Sequence, residues 1–180
     1  MDGDALAGQR AAAALGLDGS RLAVGGDGAG GTLVATCAIH ARDRSLKLAL
    51  QLLITPGTTA YGDTATHTLF ANGFLLDAAT VAWFFDHCID YHHRHDWRFA
   101  PLEADALGGV APACVSLAEC DPLVYAGLAY AARRRTAGVV VTLELTRGVT
   151  HDSIKMGRAL KEAGMAQAAA VQALQQAWSR

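Results

Sequence analysis

Charge is scarce in this 180-residue chain, where Asp, Glu, Lys and Arg make up 18% of the residues. The 15 basic and 17 acidic side chains leave a formal net charge of -2. No basic excess exists to meet phosphates, which argues against nucleic acid as a partner. No uncharged apolar run reaches the roughly 18 residues that a membrane-spanning helix needs. The N-terminus, Met-Asp-Gly-Asp, is acidic and lacks the basic start of a signal peptide. The cysteines are few and scattered (Cys37, Cys88, Cys114, Cys120), with no Cys-x-x-Cys among them. They read as reduced, buried thiols of a cytoplasmic protein. What is abundant is hydrophobic character, at 52% of residues. That excludes disorder and suits one domain or a fragment of a larger one, with residues 1–180 taken as a single unit.

Helical and strand-like segments alternate along the chain, the pattern of an α/β sheet. Residues 3–15 are Ala-rich and stop at Gly16, which predicts a helix. Arg21 to Gly25 reads as a first strand, followed by a glycine cluster and a helix near residues 30–42. Leu48 to Ile54 reads as a second strand stopped by Pro56-Gly57. Residues 58–111 form a loop and helix region: a polar loop over 58–76, then a helix capped by Asp77. That helix should run from Ala78 to about His92 with an aromatic face of Trp83, Phe84 and Phe85. Ala113 to Ala118 and Val139 to Thr146 read as the third and fourth strands. A helix to about Arg135 lies between them. Past His151, Met156, Leu160, Ala163, Val171, Leu174 and Trp178 keep helical spacing. The expectation is about four parallel strands with helices on both faces.

The cluster Gly25-Gly26-Asp27-Gly28-Ala29-Gly30-Gly31 sits at a strand-to-helix turn, where glycine permits positive φ and close backbone approach. Phosphate binding at the helix N-terminus is one reading. The Gly-x-Gly-x-x-Gly pattern fits poorly, however, and no Walker lysine follows. A glycine-rich turn without chemistry is another reading.

The surrounding motifs add a third. With one change, Gly26 to Gly31 resembles the Gly-Asp-Ser-Ala-Gly-Gly nucleophile elbow of hormone-sensitive-lipase-like esterases, a family of α/β-hydrolases. Leu17-Asp18 and Arg21 to Val24 resemble the approach to that elbow. Leu50 to Ile54 with Pro56-Gly57 resembles the next strand, and Trp97 to Leu102 the segment after the cap-side helix. Asp121-Pro122-Leu123 is similar to the motif carrying the catalytic acid. Gly148-Val149-Thr150-His151-Asp152 is similar to the one carrying the catalytic histidine. The order of elbow, acid and base is the family's.

The resemblance implies a C-terminal half of an α/β-hydrolase sheet, with Asp121 orienting His151 and no cofactor. It also implies two departures. Gly28 stands where the nucleophilic serine belongs, so the acid–base pair has no hydroxyl to activate. The family's upstream half, with its His-Gly-Gly-Gly loop, has no counterpart here, which leaves the Ala29 N–H as the remaining oxyanion donor. The implied function is a degenerate or truncated esterase-family chain, silent as a serine esterase when isolated. Two alternatives stand beside it: a split half of a carboxylic-ester hydrolase needing a partner chain, and a hydrolase using water activated by His151 and Asp121. The expected partners are a second copy or a chain supplying the missing half, and a small acyl ester as ligand.

Other nucleophile candidates are weaker. Cys120 precedes Asp121 but reads as a small buried hydrophobe. Ser153 should point elsewhere, and Thr32, one helical turn past Gly28, should be buried. His87, His92, His93 and His95 have the residue type for zinc, but they fall near a helix end and read as a solvated terminus. Arg133-Arg134-Arg135 close a helix whose dipole they suit, with no need of an anionic partner.

Overall fold

A computed structural model describes residues 11, 12 and 14–179. The Ala-rich helix read over 3–15 lies largely outside the described residues; of it, residues 11, 12 and 14 are helical. Four parallel strands form one sheet in chain order: β1 (Ala23–Asp27), β2 (Leu50–Ile54), β3 (Ala113–Cys120) and β4 (Val141–Thr150). Five α-helices are described: α1 (Ala29–Asp43), α2 (Ala65–Leu69), α3 (Ala78–Cys88), α4 (Val124–Thr136) and α5 (Lys161–Trp178).

The sheet is covered on both faces. Leu53, Val115 and Leu117 point to one face and pack with Val34, Ala35 and Ile39 of α1 and Tyr130 and Ala131 of α4. Strand side chains alternate, so Ser116 and Ala118 turn to the other face. There they line a small crevice with Ala166 of α5. The buried residues of α5 are Ala163, Ala166 and Ala170, small side chains that let the helix lie close to β2, β3 and β4. Val171 and Trp178, read from spacing as part of the buried face, are exposed, and Met156 and Leu160 precede the helix.

Several boundaries differ from the sequence reading, each for a local reason. β1 begins and ends two residues later than Arg21 to Gly25, because Gly26 and Asp27 pair with Leu53 and Ile54 rather than turning. The loop over 58–76 contains the short helix α2, whose cap Thr64 accepts from the His67 N–H. α3 ends at Cys88, four residues before His92, where Ile89 turns to extended backbone. Asp77 does cap it, accepting from the Thr80 N–H at 2.7 Å. Trp83 and Phe84 are exposed and Val81 is the buried residue of that helix, so no aromatic face enters the core. β4 runs on to Thr150. Cys37 and Cys88 are exposed, Cys114 is buried and Cys120 half-buried, and all four thiols are free.

The arginine triplet does more than suit the dipole of its helix. Arg134 is fully buried, donates to the Tyr130 hydroxyl at 2.7 Å and lies over its ring. Arg133 reaches the Leu102 carbonyl and Arg135 the Val141 carbonyl.

Candidate functional site

Because the strands are parallel, the residues that follow β1, β3 and β4 gather at one edge of the sheet, where ligand crevices of open α/β folds form. Those residues are Gly28, Asp121 and His151. Gly28 caps α1 with φ 51° and ψ -119°, in the positive-φ region that costs a residue bearing a side chain about 1–3 kcal/mol. The turn is tight enough that a Cβ on Gly26 would fall 2.5 Å from the carbonyl carbon and oxygen of Gly30. The Gly28 N–H donates to the Ile54 carbonyl at 3.0 Å, which anchors the turn on β2.

Asp121 is buried, 1% exposed, and both of its carboxylate oxygens are engaged. Oδ1 accepts from the Leu123 N–H at 2.8 Å, and Oδ2 lies 2.7 Å from Nδ1 of His151. A carboxylate only accepts, so Nδ1 donates, and the lone pair of the neutral imidazole is left on Nε2. That nitrogen faces the empty position: a Cβ on Gly28 would stand 3.4 Å from it. Burial pulls the His151 pKa down, but the Asp121 hydrogen bond and charge, aided by Asp152, outweigh it and raise the value above that of an ordinary histidine.

A clamp closes this corner. Lys155 Nζ lies 2.7 Å from Asp27 Oδ2 and 2.7 Å from Asp152 Oδ1, tying the residue before Gly28 to the residue after His151. Asp152 sits at φ 62°, and its Oδ1 is 4.0 Å from His151 Nε2. The hydrogen bond from Lys155 lowers the Asp27 pKa, and those to both carboxylates raise that of Lys155. The sequence reading had quoted Asp27 and Asp152 as parts of motifs but gave none of the three this role. The contact joins residues more than a hundred positions apart.

An apolar cavity of about 630 Å³ opens beside Gly28, Ala29 and His151. Leu75, Leu76, Val81, Phe84 and Phe85 wall one side; Leu33, Phe99 and Leu123 also line it. Arg98 and the Asp27–Lys155–Asp152 clamp supply its polar lining. Thr32 is half-buried rather than buried and lines this cavity, with its hydroxyl donated to the Gly57 carbonyl at 2.5 Å.

The substitute nucleophiles fall elsewhere. Cys120 ends β3 and is absent from the cavity lining, and Ser153 is buried against the crevice under α5. The histidines of the 87–95 region do not converge. His87 stacks on Trp83 at 4.1 Å between ring centroids, the His92 N–H is held by Asp90, and His95 packs on Tyr61. Among the described residues no group of three or more His, Cys, Asp or Glu is arranged to hold a metal ion, and no helix is long and apolar enough to cross a membrane. His67, passed over in the sequence, is buried beside the Asp121 loop. Its Nδ1 bonds the Thr64 hydroxyl at 2.7 Å, and burial lowers its pKa.

Comparison with known proteins identifies the fold family. The sequence pattern of the alpha/beta hydrolase fold matches residues 4–155. An ethyl acetate hydrolase of Pseudomonas putida is 41% identical over 168 residues, covering 92% of this chain and 53% of that protein. The carboxylic ester hydrolase LipN of Mycobacterium tuberculosis is 38% identical over 146 residues, covering 76% and 38%. The crystal structure of a Pyrobaculum calidifontis esterase superposes with a TM-score of 0.88 at 30% identity, covering 96% of this chain and 58% of that one. A thermostable esterase from Pseudomonas putida gives 0.80 at 34% identity, covering 93% and 52%. The chain spans about half the length of the curated relatives it matches.

Proposed function

This chain belongs to the α/β-hydrolase fold family, and on that premise we propose that it is an esterase-type member that is catalytically silent when isolated. It holds a small acyl ligand in the apolar cavity and forms no acyl-enzyme. One observation carries this reading: the position facing His151 Nε2 at 3.4 Å belongs to a glycine, so the base has no hydroxyl to deprotonate. Losing a nucleophile from such a triad lowers turnover by about 10⁶-fold, with the residue of catalysis coming from the oxyanion hole. Among the described residues that hole is represented by the N–H of Ala29, at the start of α1, where no intrahelical acceptor exists. His151 and Asp121 remain a competent base pair for water, but one donor stabilises a tetrahedral oxyanion poorly.

The edge position of β1 favours a second reading, in which the chain is one half of an ester hydrolase and a partner chain supplies the rest. A fluorophosphonate probe for serine hydrolases distinguishes the two. The purified chain is expected to stay unlabelled, and mass spectrometry after incubation with p-nitrophenyl butyrate should find no acyl adduct. An adduct on any residue of this chain overturns the silent reading. Labelling confined to a co-purifying protein supports the split-half reading.

A further inference from the structure

We propose that the ligand of this site is a carboxylic acid rather than an ester: an apolar chain lying in the cavity, with its carboxyl group seated in the space that Gly28 leaves before His151. The inference rests on the silent-site reading, because a serine would fill that space. Three features converge on the carboxyl position. His151 Nε2 is aimed at it, 3.4 Å from where a Cβ would stand. Asp121, buried and fully engaged, holds Nδ1 and stabilises the charged ring. Ala29 lines the same corner as the first residue of a 15-residue helix, where an N–H is unspent and the helix dipole is positive. One carboxyl oxygen meets Nε2 and the other turns to the Ala29 N–H. The tail then runs between Phe84, Phe85, Leu33 and Leu75, apolar walls of a cavity within the usual range for small ligands.

The surrounding charges determine how such a ligand must enter. Asp152 lies 4.0 Å from Nε2, and Asp27 sits at the same mouth; Lys155 bridges both, and Arg98 stands on the cavity wall paired to Asp96. One positive charge between two negative ones leaves no net surplus to attract a bare anion. The acid is therefore accommodated together with a proton, shared as imidazolium and carboxylate across the Nε2 contact. No bond is made or broken other than that proton transfer. An ester of the same length brings no proton and can only accept a hydrogen bond.

Isothermal titration of the full chain with octanoate and with octan-1-ol, as probes of equal length, tests this. Octanoate is expected to bind at least about tenfold more tightly at pH 6, the scale of one charge-assisted hydrogen bond. At pH 8, above the ordinary histidine value, its binding should take up a proton, seen as a heat that varies between buffers of different ionisation enthalpy, and the affinity should fall as pH rises from 6 to 9. In His151→Gln the octanoate-to-octanol ratio should fall towards one, whereas Phe84→Ala should weaken both probes alike. If the His151 variant does not fold, the proton uptake and pH dependence of the unmodified chain decide. Equal affinities at pH 6, or octanoate binding at pH 8 without proton uptake, overturn the proposal. A chain that binds both probes equally and resists fluorophosphonate labelling loses this inference alone; a labelled chain loses the silent-site reading beneath it.

Discussion

At position 28 the chemistry of the chain turns on a single side chain. The φ of 51° there suits glycine, and a serine would accept strain of about 1–3 kcal/mol to occupy it. Its Cβ would still fit, touching His151 Nε2 at ordinary to tight contact distance. Gly28→Ser is therefore expected to fold with a lowered melting temperature and to become weakly labelled by fluorophosphonate. Ester turnover should stay at least about a hundredfold below that of a family esterase with a full oxyanion hole, since the described residues offer the Ala29 N–H alone and each further donor is worth about 3–4 kcal/mol. Full family-like turnover in steady-state assays of that variant would mean that the oxyanion donors are all present.

His151 also ties stability to pH. Its folded pKa lies above the ordinary histidine value of 6.5, because Asp121 and Asp152 overcome the cost of burial. A raised folded pKa means that the native state holds the proton more tightly than the unfolded chain. The resulting stabilisation is complete below pH 6.5 and is lost as pH rises through the folded value. Urea denaturation of the unmodified chain and of His151→Gln should thus show a stability gap that narrows between about pH 6 and pH 8. A gap that widens over that range would mean that the imidazole is buried neutral.

Among the elements, α4 carries an anomaly. Arg134 is fully buried, and its NH1 finds the Tyr130 hydroxyl while Nε and NH2 have no hydrogen-bond partner among the described residues. Burial pulls its pKa down, and no carboxylate among the described residues is bonded to it to repay the lost hydration. Removing the pair together avoids leaving the phenol stranded. Tyr130→Phe combined with Arg134→Leu is expected to stabilise the chain by about 1–4 kcal/mol in urea denaturation. A loss of stability would show that the guanidinium has partners among buried waters. The same helix illustrates how a basic triplet at a helix end can hide a core residue: at 3.6 residues per turn, the middle arginine points inward while Arg133 and Arg135 reach outward to carbonyls.

For the whole molecule, the arrangement β1-β2-β3-β4 leaves β1 at an edge among the described residues. Strands of parallel sheets are ordinarily buried, and an open edge is a template for pairing. Apolar side chains stand exposed as well, with Leu69 70%, Leu75 62% and Trp83 55% accessible. We expect the chain to assemble, with a second copy or with another chain that pairs with this edge, burying on the order of 1,200–2,000 Å². Sedimentation of the purified chain at micromolar concentration should give a species heavier than 18.8 kDa. A compact monomer that binds no hydrophobic dye would mean that the edge is covered from within, and assembly would then be unnecessary.

The sequence by itself determined the α/β alternation, the helix-capping Asp77 and the three turns that carry Gly28, Asp121 and His151. The alternation, the Asp77 cap, the glycine-relieved turn at position 28 and the Asp-Pro strand end are written in a few adjacent residues; the roles of Asp121 and His151 came from resemblance to the family's motifs. Local backbone geometry follows from local residues, so it can be read without the fold. Only the tertiary structure decided that Gly26 and Asp27 continue a strand, since their ladder partners, Leu53 and Ile54, lie on another segment. The same holds for the Asp27–Lys155–Asp152 clamp, the apolar cavity and the buried Arg134. Each depends on groups far apart in the chain, and their energies arise from proximity and burial, which no local pattern records.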